Sequence, residues 1–218
     1  MTVSRKGASR TWPWLVLSLP VLAAVAAALL MLGGVVFNAS GRSAPISPQE
    51  RALLLDVRDL ARGGRTGLSE PGAEQVSKVR FVDTSFELHY LYDAPQTPEA
   101  PLLSYSITVE PTSASARMTF RSKWDSTRVS LWIGADDIAV EERNDLYQWG
   151  DESRSALLRA DGEPFGNVFV ARKGQVVVYL LLAGSYFADS AQAAALLGHG
   201  LRKLDQAPYP LTAETKAN

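Results

Sequence analysis

Side chains that commonly carry acid–base or nucleophilic chemistry are scarce in this chain. It contains two histidines, His89 and His199, and no cysteine. Neither histidine has a sequence neighbour that makes a recognised metal-ligand pair, so both are predicted to be surface or edge residues. The absence of cysteine excludes disulfides, thiolate nucleophiles, thiolate metal sites and a lipid-modified cysteine.

Other catalytic and cofactor motifs are missing as well. The sequence has neither the G-x-S-x-G nor the S-x-x-K pattern of serine hydrolases, and no glycine-rich phosphate loop ending in G-K-[ST]. We therefore predict a non-enzymatic protein without a cofactor. A hydrolase that uses convergent carboxylates is the least favoured alternative.

Acidic residues cluster between Asp136 and Asp145, a stretch that also contains Asp137, Glu141 and Glu142. A calcium ion needs roughly six to eight oxygen ligands. The spacing of these carboxylates matches no calcium loop, and it is typical of a solvated strand end followed by a turn. No metal site is predicted.

The segment Trp149-Gly150-Asp151-Glu152 allows two interpretations. A tryptophan in a turn next to Gly-Asp can present an exposed aromatic ring to a partner, and aromatic residues are enriched at the centres of interfaces. Alternatively, Trp149 closes the edge of a sheet while Gly150 forms the turn. We retain these four residues as the predicted partner-binding site.

A second candidate site is an apolar pocket between a helix and a sheet. Phe120 and Trp124 recur at helical spacing, and Leu180 lies in a long apolar strand. Together they could line a cavity for an apolar small molecule, although the same residues could equally form an ordinary core.

Two helices frame the region between residues 47 and 206. Ser47-Pro48-Gln49-Glu50 has the form of a capping box, which predicts a helix that continues to Gly63-Gly64. Asp189 or Ser190 can cap a last helix with Ala194, Leu197, Leu201 and Leu204 on one side.

Between these helices, alternating apolar residues predict strands, and 112–124 favours a third helix over a strand. The predicted strands cover 86–92, 103–109, 137–142 and 155–159, followed by a hairpin with its turn at Lys173-Gly174. The near-continuous apolar arm after that turn indicates a central strand buried on both faces. The predicted fold class is α+β, with an antiparallel sheet of about five to six strands, helices packed on it and one transmembrane helix before it.

Residues 14–37 form an uncharged apolar run long enough for the roughly 20 residues of a membrane-spanning helix. Arg5, Lys6 and Arg10 precede this run, and this asymmetry predicts that residues 1–13 are cytoplasmic. We expect an uncleaved anchor in the cell membrane, a tether over 38–46, an extracytoplasmic domain over 47–206 and a disordered tail over 207–218. A cleaved signal peptide is the alternative.

The charge balance limits the partners of the predicted domain. The chain has 22 basic and 23 acidic residues, and three of the basic ones precede the apolar run. The remainder is therefore mildly acidic and shows no basic stripe, which makes it a poor nucleic-acid binder. Net charge alone would not hold such a domain on an anionic bilayer.

The stretch from Trp149 to Leu204 resembles the PsbP-like fold group. It contains WGDES, a strand, the hairpin GEPFGNVFVARKGQVVVYLLLAG and a closing helix rich in Ala and Leu. The resemblance implies an α/β/α sandwich of the kind found in photosynthetic accessory proteins and exported bacterial proteins, whose members bind partners or ligands. This chain lacks the lipid-modified cysteine of the lipoprotein members, and residues 14–37 take over anchoring.

The sequence thus predicts a single-pass membrane protein whose exported domain binds another envelope protein. The alternative is a carrier or sensor of an apolar small molecule held between sheet and helices.

Overall fold

Eight strands in one antiparallel sheet dominate the computed structural model, which describes residues 41–62, 72–93, 101–134 and 138–207, without the side chains of 60–62 and 130–134. The first four strands are β1 (Arg42–Ser43), β2 (Ala73–Arg80), β3 (Phe86–Asp93) and β4 (Leu102–Val109). The other four are β5 (Ile138–Glu142), β6 (Glu152–Ala160), β7 (Glu163–Lys173) and β8 (Val176–Ala183). The helices are α1 (Pro48–Leu53), α2 (Val57–Arg62), α3 (Ser113–Gly134) and α4 (Ser190–Gln206).

The strand order is β1-β2-β3-β4-β8-β7-β6-β5, so the sheet consists of two meanders joined side by side. The joint is the ladder between β4 and β8, which pairs Leu102 with Ala183 at one end and Val109 with Val176 at the other. To reach the outer strand β5 from the central strand β4, the chain must cross the second meander. Helix α3 makes this crossing and packs on β5, β7 and β8.

One face of the sheet carries the larger core. Alternate residues of β3, β4 and β8 point to this face, where they meet the leucines around α1 and the apolar side of α4. The most enclosed members are fully buried: Leu55, Leu88, Tyr90, Tyr105, Ile107, Phe169, Leu180 and Leu197. This face is covered by α1, α2 and α4, and α4 contacts both short helices.

The opposite face carries a smaller core under α3. Ala116, Phe120 and Trp124 of α3 pack on residues of β6, β7 and β8, among them Val170 and Val177. The two cores share no buried residue, because side chains alternate between the faces of a strand. Each face therefore has its own helical cover.

The predicted fold class is wrong in its strand count and in its balance of helix and sheet. The described residues form eight strands rather than five to six, and they are mainly sheet. The strands missed from the sequence are β1, only two residues long, and β2, whose sequence AEQVSKVR is largely exposed. A mostly solvated strand lacks the apolar alternation that reveals a half-buried one.

The predicted first helix is divided into two. Ser47 caps α1 through a capping box with Glu50, as expected, but the helix ends at Leu53 and Leu54 adopts an extended conformation. The break lets three successive leucines, Leu53 to Leu55, enter the core. Asp56 then caps α2, because its Oδ1 accepts the backbone N–H of Arg58 at 2.9 Å.

The C-terminal elements follow the sequence more closely. Asp189 caps α4 by accepting the N–H of Gln192 at 2.8 Å, and Leu197, Leu201 and Leu204 are buried, whereas Ala194 is exposed. The helix predicted from residue 112 is found as α3 and extends to Gly134. In the β7–β8 hairpin, Lys173 pairs with Val176, so the turn is Gly174-Gln175, one residue later than predicted.

No helix in the described ranges is long and apolar enough to cross a membrane. The segment 14–37, predicted to span the membrane, lies outside these ranges, as do 1–13 and the tail beyond Ala207. Within the predicted tether, Arg42 and Ser43 pair with β2.

Candidate functional site

Trp149, the first residue of the predicted partner-binding segment, lies inward. Its ring is 9% exposed, and its Nε1–H donates to Asp205 Oδ1 of α4 at 3.1 Å. The ammonium of Lys173 lies 5.8 Å from the ring centroid. Trp149 therefore fastens the last helix to the sheet, and its ring is not the exposed aromatic that the partner-binding prediction assumed.

The other three residues of this segment surround Arg172, which is 3% exposed. Glu152 Oε1 accepts from the guanidinium at 2.8 Å, and Asp151 Oδ2 forms an ion pair with it at 2.9 Å. Gly150 has φ +73°, and a Cβ there would lie 2.4 Å from the carbonyl oxygen of Arg172. Burial opposes ionisation of Glu152, but hydrogen bonds from Arg172 and Arg117 outweigh it and lower the pKa of this carboxyl. These contacts hold the ends of β6 and β7 together.

The residues of the predicted apolar pocket lie on opposite faces of the sheet. Phe120 and Trp124 belong to the smaller core under α3, whereas Leu180 belongs to the larger core under α4. Strand β8 separates them, because Leu180 and its neighbour Tyr179 point in opposite directions. The structure does not bring these three residues together.

The histidines occupy different surroundings. His199 is exposed on α4. His89 is half-buried on β3, and its Nε2 lies 3.0 Å from Ser104 Oγ on β4. Burial lowers the pKa of His89, and the charge of Lys123 lowers it further, while Glu87 acts in the opposite direction. His89 is consequently neutral at pH 7 and can offer one donor and one acceptor.

His89 is part of a polar cluster that we name the polar shelf: Glu87, His89, Ser104, Ser106 and Thr108 of β3 and β4, with Lys123 of α3. These strand residues alternate along their strands and share one face, because Glu87 pairs with Thr108 and His89 with Ser106. Lys123 reaches across from the helix that covers the neighbouring strands. The shelf thus begins where the cover of α3 ends.

Hydrogen bonds link the members of the polar shelf. Lys123 Nζ donates to Glu87 Oε2 at 2.7 Å and to Ser106 Oγ at 3.2 Å. Thr108 Oγ1 donates to the same carboxylate oxygen at 2.8 Å. Burial opposes ionisation of Glu87, but the charge and hydrogen bond of Lys123 and the hydrogen bond of Thr108 prevail and lower its pKa. The cluster is therefore ionised and fixed in position.

The polar shelf resembles a serine–lysine pair only in composition. A lysine that activates a serine must be neutral, and Lys123 is bound to the carboxylate of Glu87. Ser106 is also 2% exposed, which leaves little access for a substrate. Within the described ranges, no group of three or more His, Asp or Glu residues is placed to hold a metal ion. Lys123 and Ser106 are thus engaged in hydrogen bonds within the cluster.

A cleft of about 540 Å³ lies between α1, α2 and the end of α4. Asp56 and Asp59 line it, and each carboxylate accepts a hydrogen bond from the backbone N–H of the other residue at the start of α2. Burial opposes ionisation of Asp56, but Arg58 outweighs it and lowers the pKa of that carboxyl. The carboxylates of this cleft therefore accept hydrogen bonds that stabilise the first turn of α2.

A tyrosine from the sheet secures the same helix. The Val57 N–H donates to Tyr90 Oη at 3.1 Å, and burial raises the pKa of Tyr90 to about 12. The Tyr90 hydroxyl therefore stays protonated at neutral pH. The polar groups around the cleft serve to stabilise the start of α2.

The acidic stretch predicted as a solvated strand end lies at and after β5. Glu141 and Glu142 form ion pairs with Arg159 and Arg128, at 2.7 Å and 3.3 Å, and Arg143 pairs with Asp145 at 2.8 Å. Asp136 and Asp137 fall outside the described ranges.

The polar shelf could not be located from the sequence. Part of the signal was present, because polar and apolar residues alternate over 87–90 of β3 and over 103–109 of β4. What it could not give was the register that places Glu87 beside Thr108, or the arrival of Lys123 from a helix 36 residues away.

Comparison with known proteins gives no relative. The chain matches no family model, and no curated protein or solved structure matches it. The resemblance to the PsbP-like group therefore stays a prediction.

Proposed function

We propose that this protein is a single-pass membrane protein whose extracytoplasmic domain binds another envelope protein and carries no enzymatic activity. The anchor is supported by the uncharged run 14–37 and the basic residues before it. The structural support is one observation: α3 packs on the second meander, and Glu87, His89 and Ser104 of the polar shelf lie half-buried beside the helix.

An open sheet face is common in antiparallel sheets, so exposure alone does not indicate a binding surface. The polar shelf differs from a merely solvated face because its charged and polar groups are partly buried and bonded to one another. The side chains of Glu87 and Lys123 are 29% and 21% exposed. Groups already held in place lose little conformational freedom when a partner binds.

The half-buried His89 gives the shelf its recognition chemistry. A neutral imidazole has one donor and one acceptor nitrogen; Nε2 of His89 is bonded to Ser104, and the exposed Ser77 of β2 is the cross-strand neighbour of His89. We expect a partner surface with hydroxyl, amide or backbone groups, since those groups complement a neutral histidine and serines.

The carrier alternative receives no support from the geometry. Phe120 and Trp124 are separated from Leu180 by the sheet, so they cannot enclose one ligand. The polar shelf is likewise unsuited to an apolar molecule, because binding would bury the Glu87–Lys123 ion pair against a surface without partners for it.

Site-specific photo-crosslinking in intact membranes tests the proposal. A photoreactive residue replaces Ser77 in the full chain, and the control replaces Ala194, which is exposed on the other side of the sheet. We expect a discrete protein adduct from position 77, none from 194, and a several-fold weaker adduct when His89→Ala is added. Equal adducts at both positions, or an adduct insensitive to His89→Ala, would contradict binding at the polar shelf.

A further inference from the structure

The turn between β2 and β3 presents an apolar side chain on a fixed scaffold. Val82 is 88% exposed, more than Met118 at 73% or Val129 at 42%. The turn around it is ordered by hydrogen bonds: Phe81 N–H donates to the Ser85 carbonyl at 2.9 Å, and Thr84 N–H to the Phe81 carbonyl at 3.2 Å. A hydrogen-bonded turn therefore keeps the Val82 side chain in contact with solvent.

A single exposed valine is ordinary on a protein surface. Its place in the fold distinguishes this one. Strand β1 runs antiparallel to β2, with Arg42 paired to Arg80 and Ser43 to Val79. Arg42, the first residue of β1, therefore lies at the end of the sheet where the β2–β3 turn lies.

The proposed anchor ends close to this point along the chain. Four residues lie between Phe37 and Arg42, and a fully extended chain covers at most about 18 Å from one to the other. Since Arg42 is paired directly with Arg80, two residues before Val82, the turn cannot lie far from the membrane if 14–37 spans it.

The charges beside Val82 fit an anionic lipid surface. Arg42 is exposed, and Arg80 is its neighbour across the strands. One acidic residue, the exposed Asp83, lies in the turn, where its Oδ1 accepts the N–H of Ser85 at 3.0 Å, so the two arginines outnumber it. Basic side chains next to an exposed apolar side chain favour attachment to the interface of a bilayer with negative headgroups.

We infer that the β2–β3 turn, with Val82 at its tip and Arg42 and Arg80 beside it, contacts the anionic lipid surface of the membrane that anchors the chain. This inference rests on the proposed anchoring. It gives the sheet a defined end toward the bilayer, and it leaves the polar shelf, on a face of the sheet, open to a protein partner.

Spin labelling tests this contact, because the chain has no cysteine of its own. The full chain carrying Val82→Cys is labelled with a nitroxide and reconstituted into vesicles of phosphatidylcholine and phosphatidylglycerol. The control label is at Met118→Cys, an exposed apolar position on α3. We expect the label at 82 to be several-fold less accessible to a water-soluble nickel reagent, and several-fold more accessible to oxygen, than the label at 118.

Two further variants separate the causes. Arg42→Gln, or vesicles of phosphatidylcholine alone, should reduce lipid contact at position 82, whereas Arg121→Gln on α3 should not. Equal nickel accessibility at 82 and 118 in membrane-inserted protein would overturn the inference and leave the anchor intact. Release of the unlabelled chain from membranes by alkaline carbonate would overturn the anchor, and the inference with it.

Discussion

The two faces of the sheet differ in how they are covered. The face under α1, α2 and α4 carries the larger core, which extends from β3 to β7, whereas the other face carries the smaller core beneath α3 and the polar shelf on β3 and β4. Topology accounts for the difference: α3 must travel from β4 to β5, so it packs mainly on the meander it crosses and reaches the first one through Lys123. The path of a connection therefore decides which part of a sheet face receives an apolar cover.

The largest expected effect is a difference in stability between alanine variants of two leucines in β3. Leu88 is fully buried in the larger core, and Leu91 is half-buried on the face of the polar shelf. Leu88→Ala should lower the free energy of unfolding by about 2–5 kcal/mol, because it leaves a cavity. Leu91→Ala should cost about 1 kcal/mol or less, since water can fill the space. Urea unfolding followed by tryptophan fluorescence measures both, and similar costs would refute the energetic contrast between the faces.

A second prediction concerns how closely the helices pack on the larger core. A Cβ at Gly200 of α4 would lie 2.7 Å from Cγ of the fully buried Leu55. Gly200→Ala should therefore destabilise the protein by about 1–3 kcal/mol, although alanine is the better helix former.

The control for that experiment is Ala194→Gly at an exposed position of α4, which should lose about 1 kcal/mol through helix propensity alone. Thermal unfolding can compare the two variants. A Gly200→Ala protein more stable than the parent would show that α4 can move away from α1.

A smaller effect should come from the ion pair of the polar shelf. Lys123→Met removes the partner of Glu87, and we expect a loss of about 1 kcal/mol because both side chains are only partly exposed. Arg121→Met on the exposed side of α3 is the matched control and should stay within about 0.5 kcal/mol of the parent. Chemical denaturation can test this difference, and equal effects would indicate that the shelf contributes nothing to stability.

The smallest effect concerns pH. The pKa of His89 is lowered from 6.5 in the folded protein, so the unfolded chain binds more protons just below that pH. The stability owed to neutral His89 is therefore complete above pH 6.5 and is lost as the pH falls through the folded-state pKa. The lowered pKa of Glu87 acts with the same sign below 4.5.

His89→Gln should flatten the fall of stability immediately below pH 6.5, and His199→Gln, on exposed α4, is the control. Unfolding free energies measured between pH 7 and pH 5 separate the two windows. An unchanged slope in His89→Gln would show that burial does not disfavour the imidazolium.

The elements near the larger core could be predicted from sequence because burial imposes a pattern on them. The capping box at Ser47, the cap at Asp189 and the apolar run of β8 were all identified correctly. Strand β2 was not predicted because it is mostly solvated. The break between α1 and α2 was not predicted either, because leucine favours helices, whereas burial of Leu54 and Leu55 in the core requires the helix to end before them.

The candidate site was harder to predict because it depends on register and on a distant helix. Trp149 looked available to a partner, yet a hydrogen bond to Asp205, 56 residues away, draws it inward. Leu180 looked like a neighbour of Phe120, yet a shift of one residue along a strand changes the face. Such pairings are properties of the assembled sheet.

The ladder between β4 and β8 is the only strand pairing between the two meanders in the described ranges. In engineering terms, it is a natural division of the chain into two separable pieces. A chain interrupted between α3 and β5 would retain every other strand pairing within one piece or the other. The pieces would have to recognise each other through the eight residue pairs of this ladder, through α3 packed on the second meander and through α4 packed on α1 and α2. Reassembly of such halves would report on the β-sheet joint together with its helical covers.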